Sequence, residues 1–536
     1  MRPYLLIFCS LILFQTSSQA QCGERYKTRY FNSIQVFRDI VYSKDAPALI
    51  AATLTTETTF NKDLVMDVFM PPASDTVTKR PAVVIGHGGG FINVAFMGGT
   101  ALVGTMDNDD VQALADTLAH WGYVTAVIEY RLGFNVASSS SIQRAIWRGS
   151  QDFSAAIRFM RKNASWFDVD PTRVFAAGSS AGGFCALHST FVDDAERIPE
   201  SFELVPFFKK DLGKMHSRPI VELSSFNPFN GTAVSGSDMD SIPFGIAAYW
   251  SAIMDLDWLH QGNNKAPTIM FHGTGDLVVD YKCKRPFSSV VLSAPQTCGT
   301  YMMDSTMTTY GMPHEAYYGQ GENHEYWGVL NGNWLPAGPN AFWPDIIQKS
   351  GNFFHALMKP AAPTVTGPTS VSPSTTYTYS IQNPAPNHSY CWEVTGGSII
   401  SNTATSIDVQ FSSANTQGEV IAKALDWAEV GSDPTNTTVA INTNVAVEQI
   451  PSPILNIRLQ PNPVRDQFSI LLSSKEDLAA QAAIYNTLGQ QVFSKNINII
   501  SGKNKIQLTP TELPNGTYFI EISTELTKIV KRFIIL

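Results

Sequence analysis

Val174-Phe175-Ala176-Ala177-Gly178-Ser179-Ser180-Ala181-Gly182-Gly183 decides the fold. It joins an apolar run too short for a helix to a Gly-x-Ser-x-Gly sequence, and small residues follow where a helix can begin. That is the layout of a nucleophile elbow. A tight strand-to-helix turn makes the Ser180 hydroxyl project into a cleft, and glycines at 178 and 182 remove side chains that would collide across it. The amide of Ala181, in the first turn of the following helix, points to where an oxyanion would develop. Alone, the pentapeptide also fits a Gly/Ser-rich turn.

Upstream, Ile34–Phe37 and Leu64–Met70 alternate like strands. Pro81-Ala82-Val83-Val84-Ile85-Gly86 is a continuous apolar run that suits a strand buried on both faces. It ends in His87-Gly88-Gly89-Gly90-Phe91. Consecutive glycines let backbone amides approach a substrate oxygen without Cβ atoms in the way. No GKS/T-type lysine follows, which excludes a P-loop. Asp107–Asp110 fits calcium ligation or, as the commoner case, a helix cap and first turn. The pattern then predicts a helix over Val111–Trp121, a strand over Tyr123–Glu129, an amphipathic helix over Gln151–Asn163, and a turn at Asp168–Pro171. Phe244–Ile253 and Thr268–Phe271 read as further apolar strands. This alternation is the signature of an α/β fold with a mostly parallel sheet flanked by helices. Residues 190–243 lack clear periodicity and read as an insertion, a lid or substrate-binding cap.

A nucleophilic serine needs a base, and the base needs an orienting carboxylate. Asp276 stands in His272-Gly273-Thr274-Gly275-Asp276, just past a strand, and His324 stands on the glycine-bearing stretch Gly319–His324. The order Ser180, Asp276, His324 is that of the α/β-hydrolase fold. Asp280 remains an alternative acid, and His314 or His272 an alternative base. His314-Glu315 and His324-Glu325 lack the i, i+4 spacing of a zinc helix, so no metal is expected, and no cofactor.

The whole chain sets bounds on this chemistry. Its 536 residues exceed one ordinary domain. A net charge of −9 gives no basic footprint for nucleic acid. Residues 1–20 read as a signal peptide: Arg2, the apolar run Leu5–Phe14, then Ser18-Gln19-Ala20 as a cleavage site. Cys22 as a lipidated residue is disfavoured by the preceding Gln21. No later segment is apolar enough to span a membrane. Export permits disulfides, and without Cys9 five cysteines remain. Cys283 and Cys298, flanking a stretch rich in Ser and Pro, are the expected pair. Cys185 reads as a small buried apolar residue.

Residues 30–358 resemble α/β-hydrolase carboxylesterases of the hormone-sensitive-lipase-like kind. The resemblance is carried by His87–Phe91, Gly178–Gly183, Asp168–Val174 and Tyr130-Arg131-Leu132. It implies Ser180 as nucleophile, His324 as base and Asp276 as acid, with the amides of Gly89, Gly90 and Ala181 as the oxyanion hole. Many of those enzymes carry Asp or Glu where this chain has Ser179. The expected organisation is a catalytic domain over 21–360, a β-sandwich over 361–448 and a β-rich module over 454–536. The sandwich resembles PKD- or immunoglobulin-like repeats through Tyr390, Trp392 and Gly396-Gly397, as a spacer or a glycan-binding module. Leu459–Val464, Ile484–Gln490, Leu513–Ile522 and Lys531–Ile535 make the last module similar to a C-terminal sorting domain of the type IX secretion system. The implied function is a secreted serine carboxylic ester hydrolase acting on a small-molecule or polymer ester, with the secretion machinery as partner. The rival readings are a surface adhesin or glycan-binding protein with an inert hydrolase domain, and a serine peptidase on the same fold.

Overall fold

The computed structural model describes residues 22–52, 57–93, 103–192, 212–225, 227–262, 264–287, 291–442, 453–509, 513–525 and 527–536. The expected signal peptide and the Ile450–Pro453 junction, apart from Pro453, lie outside them. Two compact units are formed, 1–442 and 443–536.

The first unit is built on an eight-stranded sheet. Strands β1 (Gln35–Ala52) and β2 (Glu57–Met70) are long and antiparallel. Then come β3 (Arg80–Gly86), β4 (Val124–Ile128) and β5 (Val169–Ser179). The hairpin β6 (Ile220–Ser224) and β7 (Asn227–Val234) stands outside this sheet. β8 (Ile246–Tyr249), β10 (Thr268–Gly273) and β13 (His314–Gly319) complete it. The short strands β9 (Ala252–Ile253), β11 (Cys283–Lys284) and β12 (Thr297–Gly299) make a separate three-stranded sheet. The main order is β1-β2-β4-β3-β5-β8-β10-β13, and every pairing from β4 to β13 is parallel. β3 and β4 are buried along their whole length, as continuous apolar runs in the middle of a covered sheet must be. This is the α/β-hydrolase fold read from the sequence.

Helices α1 (Asp109–Trp121), α2 (Ser139–Lys162), α3 (Ala181–Phe191), α4 (Thr300–Thr309) and α5 (Phe342–Met358) flank the sheet. Asp109 and Asp110 lie in the first turn of α1, where negative charge is favoured by the helix dipole, and Gly122 ends it with φ +115°. α2 begins twelve residues before the predicted Gln151. Its first three turns carry Ser, Arg and Gly, which conceal the apolar stripe. From Ser141 on most of them are buried nonetheless, with Glu57 pairing with Arg144 (3.0 Å) and Arg148 (2.8 Å). Gly149 lets α2 approach α3, since a Cβ there would lie 2.7 Å from Cys185 Sγ.

Of the 190–243 insertion, expected as a lid or cap, residues 193–211 lie outside the described residues. Its described residues, 212–225 and 227–243, hold the β6–β7 hairpin against α2 and β1. Arg158 on α2 donates to the Arg218 carbonyl (3.0 Å), and Asn163 donates to that of Val221 (2.9 Å). Among the described residues, none from this segment lines the cleft at Ser180.

Residues 364–441 form two four-stranded sheets facing one core that includes Tyr379, Trp392, Val409 and Phe411. They are fastened to the rest of the unit. Cys22 is disulfide-bonded to Cys391, a pairing not anticipated from spacing because 369 residues separate the two. Arg173, at the start of the nucleophile strand, pairs with buried Asp426 at 2.6 Å, and Tyr26 Oη donates to the Ala428 carbonyl at 2.8 Å. Cys283 and Cys298 are bonded to each other, and Cys185 is free and buried.

The second unit has a three-stranded sheet (Ile454–Gln460, Phe468–Ser474, Gly502–Leu508) and a four-stranded one (Leu478–Tyr485, Gln491–Ile499, Gly516–Ser523, Lys528–Ile535). Alternating residues such as Ile470, Ile484, Ile520 and Phe533 fill the space between them.

Candidate active site

Four segments that leave the carboxyl ends of parallel strands converge: His87–Gly90 after β3, Ser180 after β5, Asp276 after β10 and His324 after β13. Open α/β sheets place ligands at this edge. Ser180 has φ +50°, a left-handed conformation unusual for a residue with a Cβ. Two bonds hold it there. Its amide donates to the Tyr249 carbonyl (2.9 Å), and its own carbonyl accepts from Ser251 Oγ (3.0 Å). The glycines are required by contact. A Cβ on Gly178 would lie 2.3 Å from the Gly182 carbonyl carbon, and one on Gly182 would lie 2.1 Å from the Gly86 oxygen.

His324 Nε2 lies 2.9 Å from Ser180 Oγ, and its Nδ1 lies 2.6 Å from Asp276 Oδ2. With Nδ1–H donating to the carboxylate, Nε2 is left as an acceptor facing the serine hydroxyl. Asp276 is buried, and its Oδ1 accepts from the amides of Val278 (2.8 Å) and Val279 (2.9 Å). Burial opposes its charge. The nearby imidazole of His324, together with His272, outweighs that and holds the carboxyl well below the usual range. Burial likewise works against a charged His324, but the charge and hydrogen bond of Asp276, helped by Glu325, raise its pKa above the ordinary 6.5.

The alternatives stand elsewhere. Asp280 Oδ1 accepts from the Lys282 amide. His314 bonds to Asp304 at 2.9 Å. His272 is wholly buried, with Nε2 donating to the Val279 carbonyl (2.8 Å) and lying 3.2 Å from Asp276. It braces the acid from behind. Among the described residues, no group of three or more His, Cys, Asp or Glu is clustered to hold a metal ion.

The glycine loop turns back over the serine. Gly89 (φ +102°) and Gly90 (φ +59°) both adopt conformations that favour glycine, and a Cβ on Gly89 would lie 2.2 Å from the Gly104 amide. Beneath it, the buried His87 ring stacks on Tyr130, whose hydroxyl donates to the His87 carbonyl at 2.8 Å. Burial lowers the pKa of His87 to about 4, so the ring is neutral. Arg131 fixes this floor through the buried carboxylate of Asp152. Ala181 opens α3, where the first amides have no carbonyl one turn back to bond.

The sequence left the neighbours Trp250 and Phe287 unmarked, and Glu325 was weighed there only as a metal ligand. Trp250 follows β8 and donates through Nε1 to Ser179 Oγ (3.0 Å), with its ring edge-on to His324. Glu325 (φ +53°) is buried beside the cleft and accepts from the Gly332 amide. Phe287 (φ +50°) lines the cleft from the disulfide-bonded loop. Only its positive φ marks Glu325, and sequence does not display φ.

A cavity of about 210 Å³ opens over Ser180 and His324, walled by Phe134, Val136, Val278 and Phe287. A smaller one of about 50 Å³ meets it at Ser180 and runs inward past Phe91, Ile146 and Phe184.

A family model described as BD-FAE matches residues 66–228, which include the glycine loop and the elbow. Together with the sheet described above, this match marks an α/β-hydrolase domain. The chain is also similar in sequence to two proteins of Mus musculus. One is Carboxylesterase 3B (33% identical over 121 residues, 22% of this chain and 19% of that protein). The other is Pyrethroid hydrolase Ces2a (33% over 122 residues, 22% and 19%). The chain thus spans about a fifth of the length of these curated relatives. Among solved structures, propionate-bound esterase 2 of Thermogutta terrifontis aligns at 18% identity and a TM-score of 0.36, covering 58% of this chain and 95% of that one. Its apo form gives 17% and 0.34, with coverage of 58% and 95%. A PKD-like domain model matches residues 358–432. Residues 458–536 match the secretion system C-terminal sorting domain, which directs the chain through the type IX machinery to the cell surface or beyond.

Proposed function

We propose that the chain is a secreted carboxylic ester hydrolase working through an acyl-enzyme on Ser180. The observation that carries this reading is the hydrogen-bond chain from Ser180 Oγ through His324 to Asp276, set under a serine held at positive φ. His324 Nε2 takes the hydroxyl proton as Oγ attacks the ester carbonyl. Amides of Gly89, Gly90 and Ala181 receive the oxyanion. His324 then returns the proton to the departing alcohol. Water, activated by the same nitrogen, releases the acid and restores the serine. Asp276 keeps the imidazole in the required tautomer and stabilises its charged form. Secretion fits an extracellular ester, either a small molecule or an acyl group on a polymer such as an acetylated or feruloylated polysaccharide or a polyester.

The test is release of p-nitrophenol from a short ester by the native chain and by Ser180→Ala. We expect the variant to lose roughly 10⁶-fold in kcat with an unchanged thermal melt. Hydrolysis that survives in a folded Ser180→Ala protein would refute the reading.

A further inference from the structure

The two cavities at Ser180 share a wall in which the Phe287 ring stands beside Phe134 and Val291. Phe287 lines both, as do Gly90, Phe134 and Val291. Its ring sits over the glycine loop, where a Cβ on Gly90 would come within 3.0 Å of Phe287 Cζ. The loop presenting it is anchored at its root and its tip. Cys283 and Cys298 are bonded and also pair as neighbouring strands. The Phe287 amide donates to the Val278 carbonyl (2.9 Å), and the Phe287 carbonyl accepts from the Val291 amide (2.9 Å). Phe287 pays for this position with φ +50°, a strain that persists only when the surroundings enforce it.

The position of the base assigns the two compartments. His324 lines the outer cavity and not the inner one. Because the base must hand its proton to the departing alcohol, the alcohol occupies the outer side. The acyl group must then point into the inner compartment. Among the described residues, that compartment is walled by apolar side chains and backbone apart from Ser180 and Thr297. Its free volume of about 50 Å³ is about a quarter of the 210 Å³ of the outer one. The outer compartment is larger and leads past Val136 and Leu330, which are 45% and 71% exposed, so its rim is apolar and open.

Resting on the hydrolase reading above, we propose that Phe287 is a specificity-determining residue. Pinned by the Cys283–Cys298 loop, it partitions the cleft into an inner site for a short apolar acyl group and an outer site for a larger alcohol. The substrate class is a short-chain acyl ester of a bulky alcohol, not a long-chain lipid ester.

The experiment measures kcat/KM of the full chain on p-nitrophenyl acetate, butyrate and octanoate. The native enzyme should favour acetate or butyrate over octanoate by at least about tenfold. Phe287→Ala joins the compartments, and each methylene then buried adds about fourfold, so the octanoate-to-acetate ratio should rise by more than about tenfold. Ala294→Leu, which fills the inner compartment from the same loop, should lower butyrate against acetate and tests the proposal should Phe287→Ala fail to fold. Paired Cys283→Ser and Cys298→Ser should move the octanoate ratio as Phe287→Ala does, by less. Chain-length ratios that stay native in the folded variants would overturn the partition while leaving the hydrolase reading intact. Ester hydrolysis that is absent, or indifferent to Ser180→Ala, would overturn both.

Discussion

At the scale of single residues, the site is a set of opposed charges that burial makes strong. His324→Ala should cost about as much as loss of Ser180, because triad members act as a unit. Asp276→Asn should lower kcat roughly 10⁴-fold by removing the acceptor that fixes the tautomer, whereas Asp280→Asn changes it little. The reverse ranking in steady-state rates would mean the wrong acid is named. The raised pKa of His324 has a pH consequence. The base works only when neutral, so the acid limb of kcat/KM should have its midpoint above 6.5, and a midpoint below that would contradict the charge balance described. Behind the site, Asp110 is wholly buried. Loss of solvent, with the charge of Glu325 added, pushes its carboxyl well above 3.8. A folded-state pKa above the unfolded one means that the fold binds this proton more tightly. Stability is therefore lost as pH rises from about 3.8 towards the folded value. Asp110→Asn should raise the melting temperature at pH 7 and leave it nearly unchanged at pH 4. A lower melting temperature at pH 7 would show that the ionised carboxylate is itself a stabilising partner. Of the three residues that the fold brings together, Ser180 and Asp276 stood out because each sits in a glycine-bearing turn after an apolar strand, and His324 only by its glycine-bearing loop. Trp250 was not, since an aromatic after a strand reads as core until its indole is seen on Ser179.

At the scale of elements, periodicity succeeded where residues are buried by their own hydrophobicity and failed where they are buried by pairing. β3, β4 and β5 announce themselves as apolar runs. The first half of α2 does not, because Arg144 and Arg148 look solvent-facing until Glu57 on β2 neutralises them in the interior. The β6–β7 hairpin escaped for a related reason: it packs through arginine and asparagine side chains that bond to its carbonyls. The Cys283–Cys298 link closes a loop of 15 residues, worth about 3 kcal/mol in chain-entropy terms. The double serine variant should melt earlier by an amount matching that figure or less. Mass mapping of unreduced peptides checks the pairing itself, and free thiols there would refute it.

At the scale of the whole molecule, the PKD-like module is fastened to the hydrolase domain by a disulfide and a buried ion pair, while the sorting domain forms a separate compact unit. Asp426→Ala removes the closest partner of Arg173, leaving Asp170 at 3.9 Å, and frees the amides of Ala428 and Val430, so it should destabilise by roughly 3 kcal/mol in denaturant melts. A loss under about 1 kcal/mol would mean that the module is merely tethered. A chain ending near Glu448 should keep full activity on a soluble ester when made without export, yet stay in the periplasm of its native host. Normal export of that truncated chain would contradict the role given to the tail. Formation of a covalent intermediate on Ser180 can be read directly from intact mass. The full chain is incubated with a phosphonate ester that traps serine nucleophiles, its intact mass is recorded, and the modified peptide is sequenced. A single adduct on Ser180 is expected, absent from Ser180→Ala and formed far more slowly in His324→Ala. An adduct on any other residue accompanying loss of esterase activity, or full activity in a protein modified at Ser180, would contradict it.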